Sequence, residues 1–243
     1  MLRNKEKLNN TGWSKFFGNN PYPFTLFDVE KRDNTPEQNI FLNKVFTDCK
    51  GTLLDAGCGY GRHAVYLQNM GYNVYAVDYI RENCEIVKER NNKVNTFCCD
   101  LINTPFSNDF FDGIYSMYTS MGYSKDADKK ILKEFFRTIK HNGKLCLDIA
   151  QGSKLKTGLF FEVYTGGVSI SLKYKWKRKY VSKYLCFKNK PSFYTLSFFY
   201  YQANEIKEIL NSVGFKVISL FGDYCFNNYS HESDRLILIA CKE

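Results

Sequence analysis

The chain has 243 residues, 44% of them hydrophobic and 24% charged, a length that suits one large α/β domain or one domain with an inserted subdomain. The segment from Met1 to Asn10 is polar and no apolar run reaches ~18 residues, so neither a secretory leader nor a membrane-spanning helix is expected. Nine cysteines are scattered without C-x-x-C spacing. They predict reduced thiols in a cytoplasmic protein and no metal site.

The formal net charge is +9, and most of the excess lies in one window. Between Val163 and Asn204 there is no Asp or Glu, whereas eight residues are basic: Lys173, Lys175, Lys177, Arg178, Lys179, Lys183, Lys188 and Lys190. From Val168 to Tyr201 β-branched and aromatic residues alternate with period two, which predicts antiparallel strands. The alternation puts the lysines from 173 to 179 on one face, either as a solvated surface or as part of a lid that draws in an acidic molecule.

The rest of the chain alternates short apolar segments with amphipathic ones. An aromatic N-terminal segment, 1–50, ends in a helix that begins at Thr35, where Gln38 completes a capping box. Strands are predicted at Thr52–Ala56, Asn73–Val77, Val94–Cys98, Phe111–Ser116 and Lys144–Ile149, with helices at Arg62–Met70, Ile80–Asn91 and Asp126–Lys140. After the basic window come a helix capped by Asn204 and the strands Phe215–Phe221 and Arg235–Cys241. This alternation implies right-handed βαβ units and a mainly parallel sheet.

A glycine-rich turn, Asp55-Ala-Gly-Cys-Gly-Tyr-Gly-Arg62, follows the first strand. Such a turn lets a ligand approach the backbone at the carboxyl end of a parallel sheet. Asp78, which ends the second strand 17 residues beyond Gly61, can accept both hydroxyls of a ribose.

Two cofactors compete for this geometry, and a turn without a ligand is the third interpretation. A dinucleotide requires G-x-G-x-x-G, but counting from Gly57 the last position is Arg62. The carboxylate of Asp55 would repel a pyrophosphate and attract an ammonium group. S-adenosylmethionine (SAM) carries an ammonium group and a ribose without phosphate, so the residues favour SAM.

Residues 51–150 resemble the catalytic core of class I SAM-dependent methyltransferases. Leu54–His63 matches their first motif, Val74–Asp78 the second and Phe111–Met117 the fourth strand. The stretch 119–123 and the C-terminal end of the chain further resemble a bacterial subgroup that acts on small molecules. The resemblance implies a Rossmann-like, doubly wound α/β fold with a seven-stranded, mostly parallel sheet whose strand seven is antiparallel, here with an inserted antiparallel β lid.

The resemblance also implies site residues. Those expected to bind SAM are Asp55, Gly57, Cys58, Gly59, Arg62, Asp78, Tyr79, Ile80, Cys99, Asp100, Leu101 and Met117, with Arg32 near the cofactor carboxylate. Tyr118 and Tyr123 follow the fourth strand, where the transferred methyl group should lie, and His231 is the candidate base. Ordinary loop packing for the tyrosines and a surface position for the histidine are the alternatives.

Three functions are compatible with these features. The first is methyl transfer from SAM to nitrogen or oxygen of a small molecule, an acidic one if the basic window takes part. An RNA methyltransferase is the second and an inactive SAM-binding partner protein the third. The expected domains are the N-terminal segment 1–50, the SAM-binding core 51–162 with 201–243, and the substrate lid 163–200. No membrane partner is expected.

Overall fold

A computed structural model gives the fold of the chain. It describes residues 35–49, 51–118, 121–122, 124–150 and 199–243, and the backbone of four strands between 160 and 198. In these parts of the chain no helix is both long and apolar enough to cross a membrane. Two compact units are present, one formed by Asn34–Gln151 with Tyr201–Glu243, the other containing the four strands.

The larger unit alternates strands and helices, as the sequence predicts. Its elements are α1 (Thr35–Phe46), β1 (Thr52–Ala56), α2 (Arg62–Asn69), β2 (Asn73–Asp78), α3 (Arg81–Arg90), β3 (Asn95–Cys98), β4 (Phe111–Met117), α4 (Lys125–Thr138), β5 (Ile139–Ala150), α5 (Ala203–Val213), β10 (Phe215–Phe221) and β11 (Arg235–Lys242). The smaller unit contains β6 (Phe160–Thr165), β7 (Val168–Lys177), β8 (Tyr180–Phe187) and β9 (Lys190–Phe199).

The larger unit is built on a seven-stranded sheet in the order β10-β11-β5-β4-β1-β2-β3. Strands β1 to β5 pair in parallel, whereas β11 runs antiparallel to both β5 and β10. The predicted fold class, with an antiparallel last strand in a mostly parallel sheet, is therefore confirmed. Because β1 to β5 are parallel, their carboxyl ends meet at one edge of the sheet, which is where α/β folds of this kind place ligands.

Helix α1 packs across one end of this sheet through aromatic contacts. Phe41 is fully buried, and its ring centroid lies 4.5 Å from that of Phe226, 5.8 Å from that of Phe221 and 6.0 Å from that of Tyr224. These partners belong to the end of β10 and the connection to β11. The contacts bring the N-terminal helix to the chain segment that the sequence places about 180 residues later.

The sequence misplaces some boundaries. Gln202, not Asn204, caps α5, because the side chains of Gln202 and Glu205 bind each other's backbone N–H in a reciprocal capping box, which makes Asn204 a helical residue. The antiparallel sheet β6-β7-β8-β9 begins at Phe160, and the domain division at 163 and 200 stays a prediction. That this sheet acts as a lid stays a prediction.

Gly61, the last glycine of the turn, offers a test of the fold. Its φ is 76°, and a Cβ at this position would lie 2.6 Å from Cγ2 of Val87 on α3. Gly71 has a φ of 95°, but a Cβ there would meet nothing within 4 Å. Both Gly→Ala variants impose a left-handed backbone on alanine, at about 1–2 kcal/mol, and Gly61→Ala adds a clash of about 1–3 kcal/mol.

We therefore expect Gly61→Ala to lower the free energy of unfolding more than Gly71→Ala, as measured by urea denaturation. Adding Val87→Ala to Gly61→Ala removes the clashing methyl groups. After the cost of Val87→Ala alone is subtracted, the free energy of unfolding of the double variant should lie closer to that of Gly71→Ala than the value for Gly61→Ala does. Equal destabilisation by the two glycine substitutions would show that Val87 yields without cost.

Candidate active site

The glycine turn is hydrogen-bonded to the carboxyl end of β2. The N–H groups of Gly57 and Cys58 both donate to the carbonyl oxygen of Val77, at 2.8 and 2.9 Å. The turn then enters α2 through Gly61, the residue before the first helical position. This arrangement fixes the carboxyl end of β1 beside that of β2 and brings Asp55 and Asp78 to the same edge of the sheet.

Asp55 is buried at the end of β1, with 2% of its surface exposed. Within the described part of the chain, its Oδ2 atom has no hydrogen-bond partner. Burial raises the pKa of this carboxyl group to about 7, against the opposing effects of the Tyr115 hydroxyl, the Arg62 guanidinium and the N–H of Ala64. A buried acceptor of this kind is satisfied by a cationic donor, so Asp55 fits the ammonium group of SAM.

Asp78 is held by the turn itself. Its Oδ2 accepts the N–H of Gly59 at 2.8 Å, and its Oδ1 accepts the N–H of Ile80 at 2.9 Å. Burial raises the pKa of Asp78, while these two N–H groups lower it. Each carboxylate oxygen has two lone pairs, so an oxygen that accepts one N–H can also accept a ribose hydroxyl, and the two N–H groups hold the carboxylate against the turn.

The end of β3 completes this side of the site. The N–H of Cys99 donates to the backbone oxygen of Asp78 at 3.1 Å, and the half-buried Asp100 accepts the N–H of Ile102 at 3.0 Å. Burial raises the pKa of Cys99 to about 11 and that of Cys58 well above its ordinary value, so both thiols are protonated near neutral pH. They are polarisable lining groups at this edge and lack the thiolate that a nucleophile needs.

Helix α1 contributes polar side chains that the sequence assigned to other roles. Gln38 is fully buried; its Oε1 accepts Nη1 of Arg62 and its Nε2 donates to the hydroxyl of Tyr118 at 3.3 Å. The hydroxyl of Thr35 accepts the same Nη1 atom at 2.8 Å. The side chain of Gln38 thus binds both Arg62 and Tyr118, while its part in a capping box with Thr35 stays a prediction.

Tyr118 lies directly after β4, with a φ of 72°. Its N–H donates to the carbonyl oxygen of Asp148 on β5 at 3.1 Å. The guanidinium carbon of Arg235 lies 3.9 Å from the centroid of its ring, and that of Arg62 lies 5.4 Å away. Contacts of this kind with the ring face are attractive. The backbone of Tyr118 is thus in the left-handed region. Its side chain is held by two cations and by Gln38.

Arg235 is held in place by a buried carboxylate. Its Nε lies 2.8 Å and its Nη2 lies 2.7 Å from Oδ1 of Asp148, whose side chain is fully buried. The hydroxyl of Tyr224 donates to the other oxygen of Asp148 at 2.8 Å. Burial alone would lower the pKa of Arg235, but Asp148 raises it, so the guanidinium stays charged. Asp148, Arg235 and Tyr224 form an ion-pair cluster behind Tyr118.

A second buried carboxylate anchors the loop after β4. Oδ2 of Asp128 accepts the N–H of Gly122 at 3.0 Å and the hydroxyl of Tyr201 at 2.6 Å. Burial raises the pKa of Asp128 to about 6, although both donors lower it. Gly122 is therefore tied to α4 and to the segment that precedes α5.

The other predicted residues are placed as follows. Met117 is buried at the end of β4, whereas Leu101, Tyr79 and Ile80 are half-buried. His231 is exposed on the connection between β10 and β11, with its ring centroid 6.3 Å from that of Tyr229. Arg32 and Tyr123 lie outside the described residues, so their functions stay predictions.

The sequence missed Gln38 as a site residue, as well as the ion pair of Asp148 and Arg235. A signal was present, because Asp148 interrupts the apolar end of strand β5 and Arg235 begins the apolar strand β11. An acid and a base that each border an apolar strand are candidates for a buried pair.

Comparisons with known proteins agree with this geometry. Residues 54–147 match a family model described as a methyltransferase domain. Over 224 residues the chain is 24% identical to a glycine/sarcosine N-methyltransferase of Aphanothece halophytica, with 86% of this chain and 83% of that protein covered.

Solved structures share the fold. An S-adenosylmethionine-dependent methyltransferase from Clostridium acetobutylicum superposes with a TM-score of 0.77 at 18% identity, covering 89% of this chain and 96% of that one. The sugar N-methyltransferase KedS8 from Streptoalloteichus gives a TM-score of 0.71 at 12% identity, with 90% and 92% covered. The resemblance to class I methyltransferases is confirmed: the chain is a SAM-dependent methyltransferase with a Rossmann-like fold, and SAM is its cofactor.

The ribose assignment of Asp78 is tested by Asp78→Asn. The variant removes the negative charge and turns one acceptor into a donor that faces an N–H group. We expect SAM and 5′-methylthioadenosine, which share the ribose, both to bind at least ~tenfold more weakly by calorimetry, because each charge-assisted hydrogen bond contributes ~1.5–3 kcal/mol. Asp126→Asn, an exposed acid in the first turn of α4, is the control. Unchanged affinity of Asp78→Asn for both ligands would remove Asp78 from the ribose site.

Proposed function

We propose that this enzyme transfers the methyl group of SAM to nitrogen or oxygen of a small acidic molecule. The observation that carries the proposal is the fixed ring of Tyr118 at the carboxyl end of β4. It lies beyond the cofactor-binding edge formed by Asp55 and Asp78, and Arg62 contacts its ring while interacting electrostatically with Asp55. The free thiols fit the reducing cytoplasm, where we expect the enzyme to act.

The charges near Tyr118 support an acidic acceptor. Two guanidinium groups, those of Arg62 and Arg235, approach its ring, and Asp148 neutralises Arg235. The basic window of the sequence, 163–204, contains eight basic residues and no acid, and we propose that it also attracts the acceptor. Positive potential raises the local concentration of anions and their association rate. The names of the relatives support nitrogen as the methylated atom, since one methylates glycine or sarcosine and another a sugar, both as N-methyltransferases.

The chemistry asks little of the protein beyond alignment. Bound SAM supplies a methyl group activated by its sulfonium centre. The chain contributes proximity and orientation, which Tyr118 provides through a ring that Gln38 and Arg235 hold in one direction. A neutral amine needs no base before attack, whereas a hydroxyl acceptor does. His231 and Tyr123 stay our proposed candidates for that base or for contacts with the acceptor.

The proposal is tested by incubating purified enzyme and SAM with separate pools of metabolites and of tRNA. Mass spectrometry should show the gain of one CH2 unit on a small molecule that bears a carboxylate or phosphate and an amine or hydroxyl. Turnover should fall as salt is added, because salt screens the attraction between opposite charges. Methylation of tRNA alone would favour the nucleic-acid alternative and contradict the proposal.

Tyr118→Phe separates the hydroxyl from the ring. The variant keeps the surface against Arg235 but loses the hydrogen bond with Gln38, so SAM affinity should be unchanged while kcat/KM for the acceptor falls about five- to thirtyfold, the equivalent of a bond of ~1–2 kcal/mol. Tyr72→Phe is a matched control. The Tyr72 hydroxyl also hydrogen-bonds to a side-chain amide, since it donates to Oδ1 of Asn43 at 3.0 Å. Tyr72 directly precedes β2 and therefore lies at the opposite edge of the sheet. Equal effects of the two substitutions on kcat/KM would remove Tyr118 from the acceptor site.

A further inference from the structure

Asp55 and Tyr115 lie directly opposite each other in the sheet. The parallel ladder between β1 and β4 pairs Asp55 with Tyr115. Asp55 is 2% exposed and Tyr115 is fully buried. Residues paired in this way project to the same face of a sheet, so the phenol and the carboxyl group share one buried space.

Each of these side chains has unused hydrogen-bonding capacity. Among the residues that the structure describes, neither Oδ2 of Asp55 nor the hydroxyl of Tyr115 has a hydrogen-bond partner. The hydroxyl nevertheless lies near enough to the carboxyl group to lower its pKa, although it does not reach hydrogen-bond geometry. A buried polar atom without a partner costs ~1–3 kcal/mol, so the pair is stabilised by anything that completes it.

The other groups that face Asp55 come from two elements. Helix α2 contributes the guanidinium of Arg62 and the N–H of Ala64, which lower the pKa of Asp55, and β2 contributes the carboxylate of Asp78, which raises it. Burial outweighs all of them. Without a bound cation, the carboxyl group therefore loses its proton only near neutral pH.

We propose that Tyr115 is a positioning residue that orients the Asp55 carboxylate toward the ammonium group of SAM. The phenol donates to one carboxylate oxygen, and the other oxygen takes the ammonium group. Burial keeps the phenol protonated, because it raises the pKa of Tyr115 well above its ordinary value. This inference deepens the proposed function, since it rests on Asp55 as the ammonium site.

The arrangement makes cofactor affinity depend on pH. The ammonium group binds the ionised form of Asp55, so below a pH of about 7 the carboxyl group must release a proton when SAM binds. Affinity then falls ~tenfold for each pH unit below this pKa, and it also falls above a pH of ~8, where the ammonium group of SAM loses its proton. In Tyr115→Phe the donor that lowers the pKa of Asp55 is gone. The pKa rises, and the loss of affinity begins at a higher pH.

The experiment is calorimetric titration of the full chain across this pH range with two ligands. SAM carries the ammonium group, and 5′-methylthioadenosine keeps the adenosine but lacks the amino-acid part. For Tyr115→Phe we expect SAM to bind about three- to tenfold more weakly at neutral pH, with its pH profile shifted upward, while the affinity for 5′-methylthioadenosine stays that of the wild type. The melting temperature of the variant without ligand should not fall, because the hydroxyl that is removed has no partner.

A control variant, Asp55→Asn, and the ligand 5′-methylthioadenosine separate the function of Tyr115 from that of the ammonium site. Asp55→Asn should bind SAM weakly at every pH, without the break near neutrality. If the SAM profile of Tyr115→Phe coincides with that of the wild type, or if 5′-methylthioadenosine loses affinity equally, the positioning function of Tyr115 is wrong, while the methyltransferase activity stands. If Asp55→Asn binds SAM as well as the wild type does, the inference fails with the ammonium site, and the screen for methylated products still tests the proposed function separately.

Discussion

One carbonyl oxygen, that of Val77, organises the cofactor side of this enzyme. It accepts two successive N–H groups of the glycine turn, those of Gly57 and Cys58, and so ties the end of β1 to the end of β2. The positions of Asp55 and Asp78 follow from this tie, because each carboxylate ends one of the two strands. The N–H of Gly59 then closes the turn onto Asp78. Without a chain that can fold back this tightly, the two acids would not face one ligand.

The proposed acceptor side is assembled differently. Its members come from α1, β4, β5 and β11, and they meet around the ring of Tyr118. Arg62 joins the two sides, since it contacts the ring and interacts electrostatically with Asp55. Removing one partner of a buried pair such as Asp148 and Arg235 leaves an uncompensated charge, at a cost of about 3–5 kcal/mol. The geometry of the ring is therefore set by groups that cannot be altered singly without loss of stability.

The sequence signals on which the predicted cofactor side rests are local. The glycines, Asp55 and the acid at the end of the next strand lie within 24 residues, and strand and helix periodicity fixes which ends they occupy. The sequence names Tyr118 but misses the groups around it because their contacts are not local: Asp148 and Arg235 are 87 positions apart, and Gln38 and Tyr118 are 80 apart. No period or spacing links such residues. Only the antiparallel return of β11 beside β5 brings Arg235 to Asp148.

The prediction of the N-cap residue of α5 was wrong for a related reason. Asn204 is a good capping residue by type, but Gln202 pairs with Glu205, and the reciprocal bonds move the start of the helix by two positions. The choice depends on two side chains acting together. Propensity of a single residue does not predict it.

Buried polar atoms without partners are the most informative feature of the site. Strand β4 is almost entirely buried, yet it carries the hydroxyl of Tyr115 opposite the carboxyl group of Asp55. A phosphate at this edge would face two carboxylates, those of Asp55 and Asp78, and would leave Oδ2 of Asp55 without a donor. An ammonium group supplies both the donor and the opposite charge. The sequence favours SAM over a dinucleotide because Arg62 replaces the last glycine and because Asp55 is negatively charged, and the burial of the two acids at this edge strengthens the electrostatic part of that argument.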